Sequence, residues 1–158
     1  MTTEAALGSV VVGVEGGGGS RTAIKMAAQE ASFRHALLIA VMAYSGDRAL
    51  APAGRPAASL GTAGEERLVA ESVLREAVID ALGEEADRVE LRTALGLAGR
   101  NLVDTARRVN AQLIVLAGRG STSMLLGTVS QYVLRKAPCP VLVVPEAGRD
   151  GRPGLPDA

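Results

Sequence analysis

Two glycine-rich stretches hold the residue types best suited to chemistry in this chain. The first, Gly13-Val-Glu-Gly-Gly-Gly-Gly-Ser20, has the spacing of a phosphate-binding loop, but Gly19 stands where such a loop needs its lysine. Without that cation the clamp on the terminal phosphates is missing, which argues against a Walker-type nucleotidase. The stretch does not fit the G-x-G-x-x-G spacing of a dinucleotide fold either, and its plainest reading is a turn between a strand and a helix. Glu15 is the carboxylate placed there to hold a divalent cation or orient water. A lone carboxylate without a base–nucleophile partner supports at most a slow ATPase.

The second stretch, Ala117-Gly-Arg-Gly-Ser-Thr-Ser-Met-Leu-Leu-Gly-Thr128, runs from the end of an apolar segment into the start of a helical one. Backbone N–H groups at a helix N-terminus and the helix dipole together favour an anion. Gly120 and Gly127 allow close backbone approach, and the Ser121 and Thr128 hydroxyls add donors. Arg119 is the candidate cation for an anionic ligand, against the alternative of an ordinary solvated arginine. Elsewhere, His35 reads as a dipole partner at a helix end, Cys139 as a small buried hydrophobe between two prolines, and Arg107-Arg108 as a wet helix face.

Composition removes whole classes of function. The 158 residues carry 17 basic and 17 acidic side chains, a balance that argues against a dedicated nucleic-acid binder with its basic stripe. One cysteine makes no internal disulfide, and with a single histidine it does not build a zinc site. The apolar run Ala36 to Ala43 falls well short of the ~20 residues of a membrane helix, and the first residues lack the pattern of a signal peptide. The expectation is a cytoplasmic protein that engages neither membrane nor nucleic acid.

These loops need a scaffold, and hydrophobic periodicity supplies one. Val10–Val14, Leu37–Ala43, Leu113–Ala117 and Val141–Val144 are near-continuous apolar runs of the kind buried on both faces of a parallel sheet. Val89–Leu95 alternates with period two, as expected of a strand with one wetter face at an edge. Helical spacing marks Ser20 to about Phe33, Glu65–Leu82 with Gly83 as its stop, Asn101–Val109, and Gly127–Lys136 ending before Pro138. The stretch 46–64 is rich in glycine, proline and alanine and reads as a flexible loop; 148–158 reads as a disordered tail. Residues 1–147 thus form one α/β domain of alternating strands and helices, with a parallel sheet covered on both faces. Ligands in such folds sit beyond the carboxyl ends of the strands, where the strand order reverses.

The residues of the last third carry a specific resemblance. Leu113-Ile-Val-Leu-Ala-Gly-Arg-Gly120, followed by Leu125-Leu-Gly-Thr-Val-Ser-Gln-Tyr-Val-Leu-Arg-Lys-Ala-Pro-Cys-Pro-Val-Leu-Val-Val144, strongly resembles the C-terminal signature of the universal stress protein family. Val11-Val-Gly-Val-Glu-Gly16 is similar to that family's first strand end. The resemblance implies a doubly wound five-stranded parallel sheet in the order 3-2-1-4-5, with the switch point between strands one and four. It also implies an adenine nucleotide, ATP with Mg2+ or the smaller AMP or cyclic AMP, in a regulatory or stress-response role. By position its site comprises Gly13, Val14, Glu15, Ala43, Leu116, Ala117, Arg119, Gly120, Gly127, Thr128 and Val129. The base would lie on the backbone of Ala43 between Val14 and Leu116.

The chain departs from the ATP-binding pattern at three places. Ala117 replaces the first glycine, Glu15 replaces an aspartate, and six residues rather than nine separate Gly120 from Gly127. Three residues span up to roughly 10 Å of extended chain, enough to move the amides that grip phosphates. The shorter loop leaves ATP, AMP, cyclic AMP and a ligand-free dimeric interaction protein as alternatives. The resemblance further implies a homodimer through antiparallel pairing of Val141–Val144, an apolar edge that needs cover.

Overall fold

The computed structural model describes residues 8–16, 19–45, 63–118 and 127–145. The expected loop 46–64, apart from its last two residues, and the tail 148–158 lie outside the described residues, as do Arg119, Gly120 and Ser121. Five strands, β1 (Ser9–Gly13), β2 (Leu37–Tyr44), β3 (Glu90–Leu95), β4 (Ala111–Gly118) and β5 (Val141–Pro145), alternate with four helices. The helices are α1 (Arg21–Phe33), α2 (Ala63–Leu82), α3 (Ala98–Arg108) and α4 (Thr128–Lys136). All strand pairs are parallel, and the sheet order is β3-β2-β1-β4-β5, the order that the resemblance implies.

The apolar runs are continuous because alternate residues face two different cores. Val10 and Val12 join Leu38, Ala40, Met42, Leu113 and Val115 under α1 and α2. Val11 joins Ile39, Val41, Ile114 and Leu116 under α3 and α4. On α2 the buried stripe is Ala70, Leu74, Val78 and Ala81, and on α1 it is Ala23, Ile24, Ala27 and Ala31, both at helical spacing. With no tryptophan and one phenylalanine, these cores close through small residues that let helices lie near the sheet.

Three features depart from the sequence reading, each for a physical reason. First, α3 starts at Ala98 rather than Asn101, taking Gly99 into its first turn. A Cβ on Gly99 would meet Tyr132 Cδ1 at 3.1 Å, so this glycine serves the α3–α4 contact and does not mark a break. Second, α2 ends at Leu82 as expected, with Gly83 at φ +57, but the chain then continues as a 3-10 turn, Gly83–Arg88. Third, His35 lies beyond the end of α1, at φ +50. Its N–H donates to the Ser32 carbonyl, and that of Ala36 donates to the Ala31 carbonyl at 2.9 Å. This paired bonding closes the helix in a Schellman turn. His35 is a left-handed linker, and Asn110, at φ +49, takes the same place after α3.

Candidate functional site

At the carboxyl end of the sheet the strand order reverses between β1 and β4, because β1 leads by α1 to β2 on one side while β4 leads by α4 to β5 on the other. A cavity open to solvent lies there. Its strand walls are Gly13, Val14 and Glu15 after β1, Val41 and Ala43 of β2, and Leu116 and Ala117 of β4. Ala98 and Leu102 of α3 and Val129 and Ser130 of α4 complete it. The Val14 N–H donates to the Val41 carbonyl at 2.9 Å, carrying the parallel pairing one residue past β1 and fixing the two walls together. A Cβ on Gly13 would stand 3.0 Å from Leu102 Cδ1 and 3.1 Å from Leu116 Cδ2. The bare glycine is therefore what lets those leucines close the cavity floor.

The helix ends give this apolar cavity its electrostatics. Two helices, α3 and α4, begin at its wall, and their N-cap residues are Leu97 and Gly127, neither of which makes a side-chain capping bond. The first N–H groups of a helix have no intrahelical partner, and the dipole places about half a positive charge at that end. The lining thus favours an anion without a cationic side chain among its described residues. Its polar side chains are Ser130, which is buried, and Glu15, which is exposed at the rim.

Helix α1 begins differently. Ser20 takes its N-cap position, as its type suggests, but makes no side-chain capping bond. Its buried hydroxyl instead accepts the Glu15 N–H at 2.8 Å and donates to the Glu15 carbonyl at 3.3 Å. The glycine-rich turn is thereby tied shut at its two ends, and Glu15 is held where β1 stops. Beyond Glu15, on the α1–α2 side, lies a shallower hollow where Arg21 pairs with Asp80 at 3.5 Å.

Of the residues singled out from the sequence, the fold brings Gly13, Val14, Glu15, Ala43, Leu116, Ala117 and Val129 to one cavity. Gly127 and Thr128 stand at the start of α4 beside it without lining it. Arg119 and Gly120 lie outside the described residues. Sequence reasoning missed Val41, Ala98, Leu102 and Ser130. Val41 follows from Ala43 by the two-residue period of a strand. Ala98 needed the start of α3, which Gly99 concealed, and Leu102, already inside the expected helix, needed that helix to be packed against the strand ends. Cys139 is half-buried and packs against the α3–α4 core, where burial pushes its thiol up. Among the described residues no group of three acidic, histidine or cysteine side chains is arranged to hold a metal ion. No helix among them is long and apolar enough to cross a membrane.

A model of the universal stress protein family matches residues 7–145. The chain belongs to this family. A universal stress protein whose crystal structure was determined in complex with cAMP is 28% identical, with a TM-score of 0.62; the match covers 90% of this chain and 99% of that one. The universal stress protein UspA of Lactobacillus plantarum is 21% identical at a TM-score of 0.65, covering 89% and 99%. A universal stress protein from Archaeoglobus fulgidus, determined in complex with dAMP, is 22% identical at 0.53, covering 87% and 98%. The last two likenesses speak for the fold alone.

Proposed function

We propose that this universal stress protein binds an adenine nucleotide bearing a single phosphate, AMP or cyclic AMP, in the crevice between β1 and β4. It acts there as a cytoplasmic regulatory module rather than as an enzyme. The observation that carries the reading is the convergence of two helix N-termini, uncapped by side chains, on one aliphatic cavity. The aliphatic walls of Val14, Val41 and Leu116 suit a base, and the α3 and α4 N-termini suit a phosphate. The 28% identical relative with cAMP supports the same ligand class. The six-residue spacing between Gly120 and Gly127 favours one phosphate over three. ATP with Mg2+ is the runner-up. The lining offers a divalent ion Glu15 as its one carboxylate, so the ion would rest chiefly on the nucleotide's own phosphates. The outer edge of β5 has no strand beyond it among the described residues, which supports a homodimer through Val141–Val144.

Isothermal titration with AMP, cyclic AMP and ATP plus magnesium tests the proposal, with Ala43→Leu as the cavity-filling control. The expected result is a Kd on the order of 10 μM for a mononucleotide, about −7 kcal/mol, at least tenfold tighter than for ATP and lost in Ala43→Leu. Tighter binding of ATP would restore the runner-up. Absence of heat with all of them would overturn nucleotide binding and leave the ligand-free interaction protein.

A further inference from the structure

The opposite end of the sheet, where strands begin, receives four connections from the helix C-termini, and each brings a different surface chemistry. Taken in the sheet order β3-β2-β1-β4-β5, the connection into β3 carries exposed Glu84, Glu85 and Asp87, with Arg88 beside them. The connection into β2 starts from Phe33 and ends on Leu37, with exposed Arg34, paired with Glu30, and exposed His35 between them. Exposed Arg107 and Arg108 precede β4, and exposed Arg135 and Lys136 precede β5. Acid, apolar and base therefore follow one another across a sheet end roughly 20 Å wide, at about 4.8 Å per strand. Arg107 Nη2 donates to the Lys136 carbonyl at 3.2 Å, which joins the ends of α3 and α4 into a single basic corner.

Local physics explains only part of this arrangement. Cations at helix C-termini complement the dipole; Glu84 and Glu85 follow the C-terminus of α2, where carboxylates are disfavoured, but also open the 3-10 turn, whose first turn favours them. Among the described residues, neither these acids nor the four cations of the basic corner form an ion pair. The chain's single phenylalanine is 78% exposed and Leu37 is 48% exposed, in a protein whose cores are built almost without aromatics. An exposed aromatic residue with arginines near it has the composition of an interface, and charges of both signs around it can give a partner electrostatic complementarity.

We propose that this end of the domain is a self-docking surface whose occupant is the same end of a second copy. A two-fold axis lying in the end face, across the line from acid to base, sets each acidic turn on the other copy's basic corner. Phe33, the last residue of α1, and Leu37, the first of β2, lie between the two charges along that line. A nucleic acid or an acidic protein would suit the basic corner but meet repulsion from the acidic turn, whereas a second copy satisfies both. Five strands by three layers at roughly 10 Å give on the order of 500 Å² per copy, the size of a weak, transient contact. The association is therefore weak, sensitive to salt, and separate from any apolar pairing along β5.

Sedimentation velocity of the full chain at low salt and at about 0.5 M salt, where charges are screened within a few ångströms, reads the contact directly. The expected result is a mass at low salt above the unit that persists at high salt. Arg108→Glu with Arg135→Glu, which keeps the Arg107–Lys136 bond, and Glu84→Arg with Glu85→Arg should each remove that increment. Mixing the two variants should restore it, since acid-only and base-only ends then meet. Phe33→Ser should weaken association at least tenfold, with circular dichroism confirming the fold of every variant. A mass indifferent to salt overturns the proposal. So does loss in the base-reversed variant alone, or a mixture that stays apart, because the second copy's end is then not the occupant.

Discussion

The two helical layers of this domain make opposite use of their helix N-termini at the same end of the sheet. On the α1 side, the one buried hydroxyl at the helix start is spent on the Glu15 backbone, and the turn before α1 is tied to its own ends. On the α3–α4 side, the helices start at Leu97 and Gly127, whose side chains have no acceptor to offer, and both starts border the cavity. All three helix starts lack a side-chain cap; the difference is that the Ser20 hydroxyl ties the turn before α1, while α3 and α4 start at the cavity wall. A strand order that reverses between β1 and β4 guarantees a crevice; among the described residues, the helix starts that border it are those of α3 and α4.

The largest effect should come from the α1–α2 side. Leu74 is fully buried on the inner face of α2, and Leu74→Ala should lower stability by about 2–5 kcal/mol in chemical denaturation. Nucleotide affinity of the folded protein should stay within twofold of the parent; a large loss would mean that the two layers are not independent. Next, Ser20→Ala removes the acceptor of the Glu15 N–H and should destabilise the protein by about 1–2 kcal/mol. It should also weaken nucleotide binding a few-fold by freeing Glu15, and unchanged affinity would confine Ser20 to a structural role.

The smallest change in stability should be the most informative. Leu97→Asp supplies α3 with a capping side chain and should stabilise the fold by about 0.5–1 kcal/mol. The same carboxylate occupies the helix end and repels an anion, so nucleotide affinity should fall about fivefold, the equivalent of roughly 1 kcal/mol. Stability that rises while affinity holds would assign the anion to α4 alone.

Much of the scaffold was legible in the sequence, because burial on both faces forces the continuous apolar runs that mark β1, β2 and β4. The run of β5 marks a strand too, but an edge one that is half-buried over Val141–Val143. Period-two alternation in Val89–Leu95 likewise suggested an edge strand, and the sheet has β3 at its edge, but half-exposed on both faces rather than with one wetter face. The site was legible where it belongs to strands. Val14, Ala43, Leu116 and Ala117 sit at strand ends, and a strand end is visible as the point where an apolar run stops. The contribution of α3 was hidden because a glycine two residues before Asn101 reads as a break when only intrinsic propensity is weighed. Packing against Tyr132 overrides that propensity, and no local signal in Leu97-Ala98-Gly99 records it.

By itself, the sequence determined the alternation of strands and helices, the aliphatic character of the cores, and the positions of the two glycine-rich turns. Hydrophobic periodicity is a local property, and a chain with a single phenylalanine and no tryptophan must fill its interior with Val, Leu, Ile and Ala. The tertiary structure alone decided what Ser20 does with its hydroxyl, that α3 starts at the cavity wall, and that acid, apolar and basic connections line up across the far end of the sheet. Each of these depends on which segments lie side by side, and that is settled by strand order and crossover geometry acting over tens of residues.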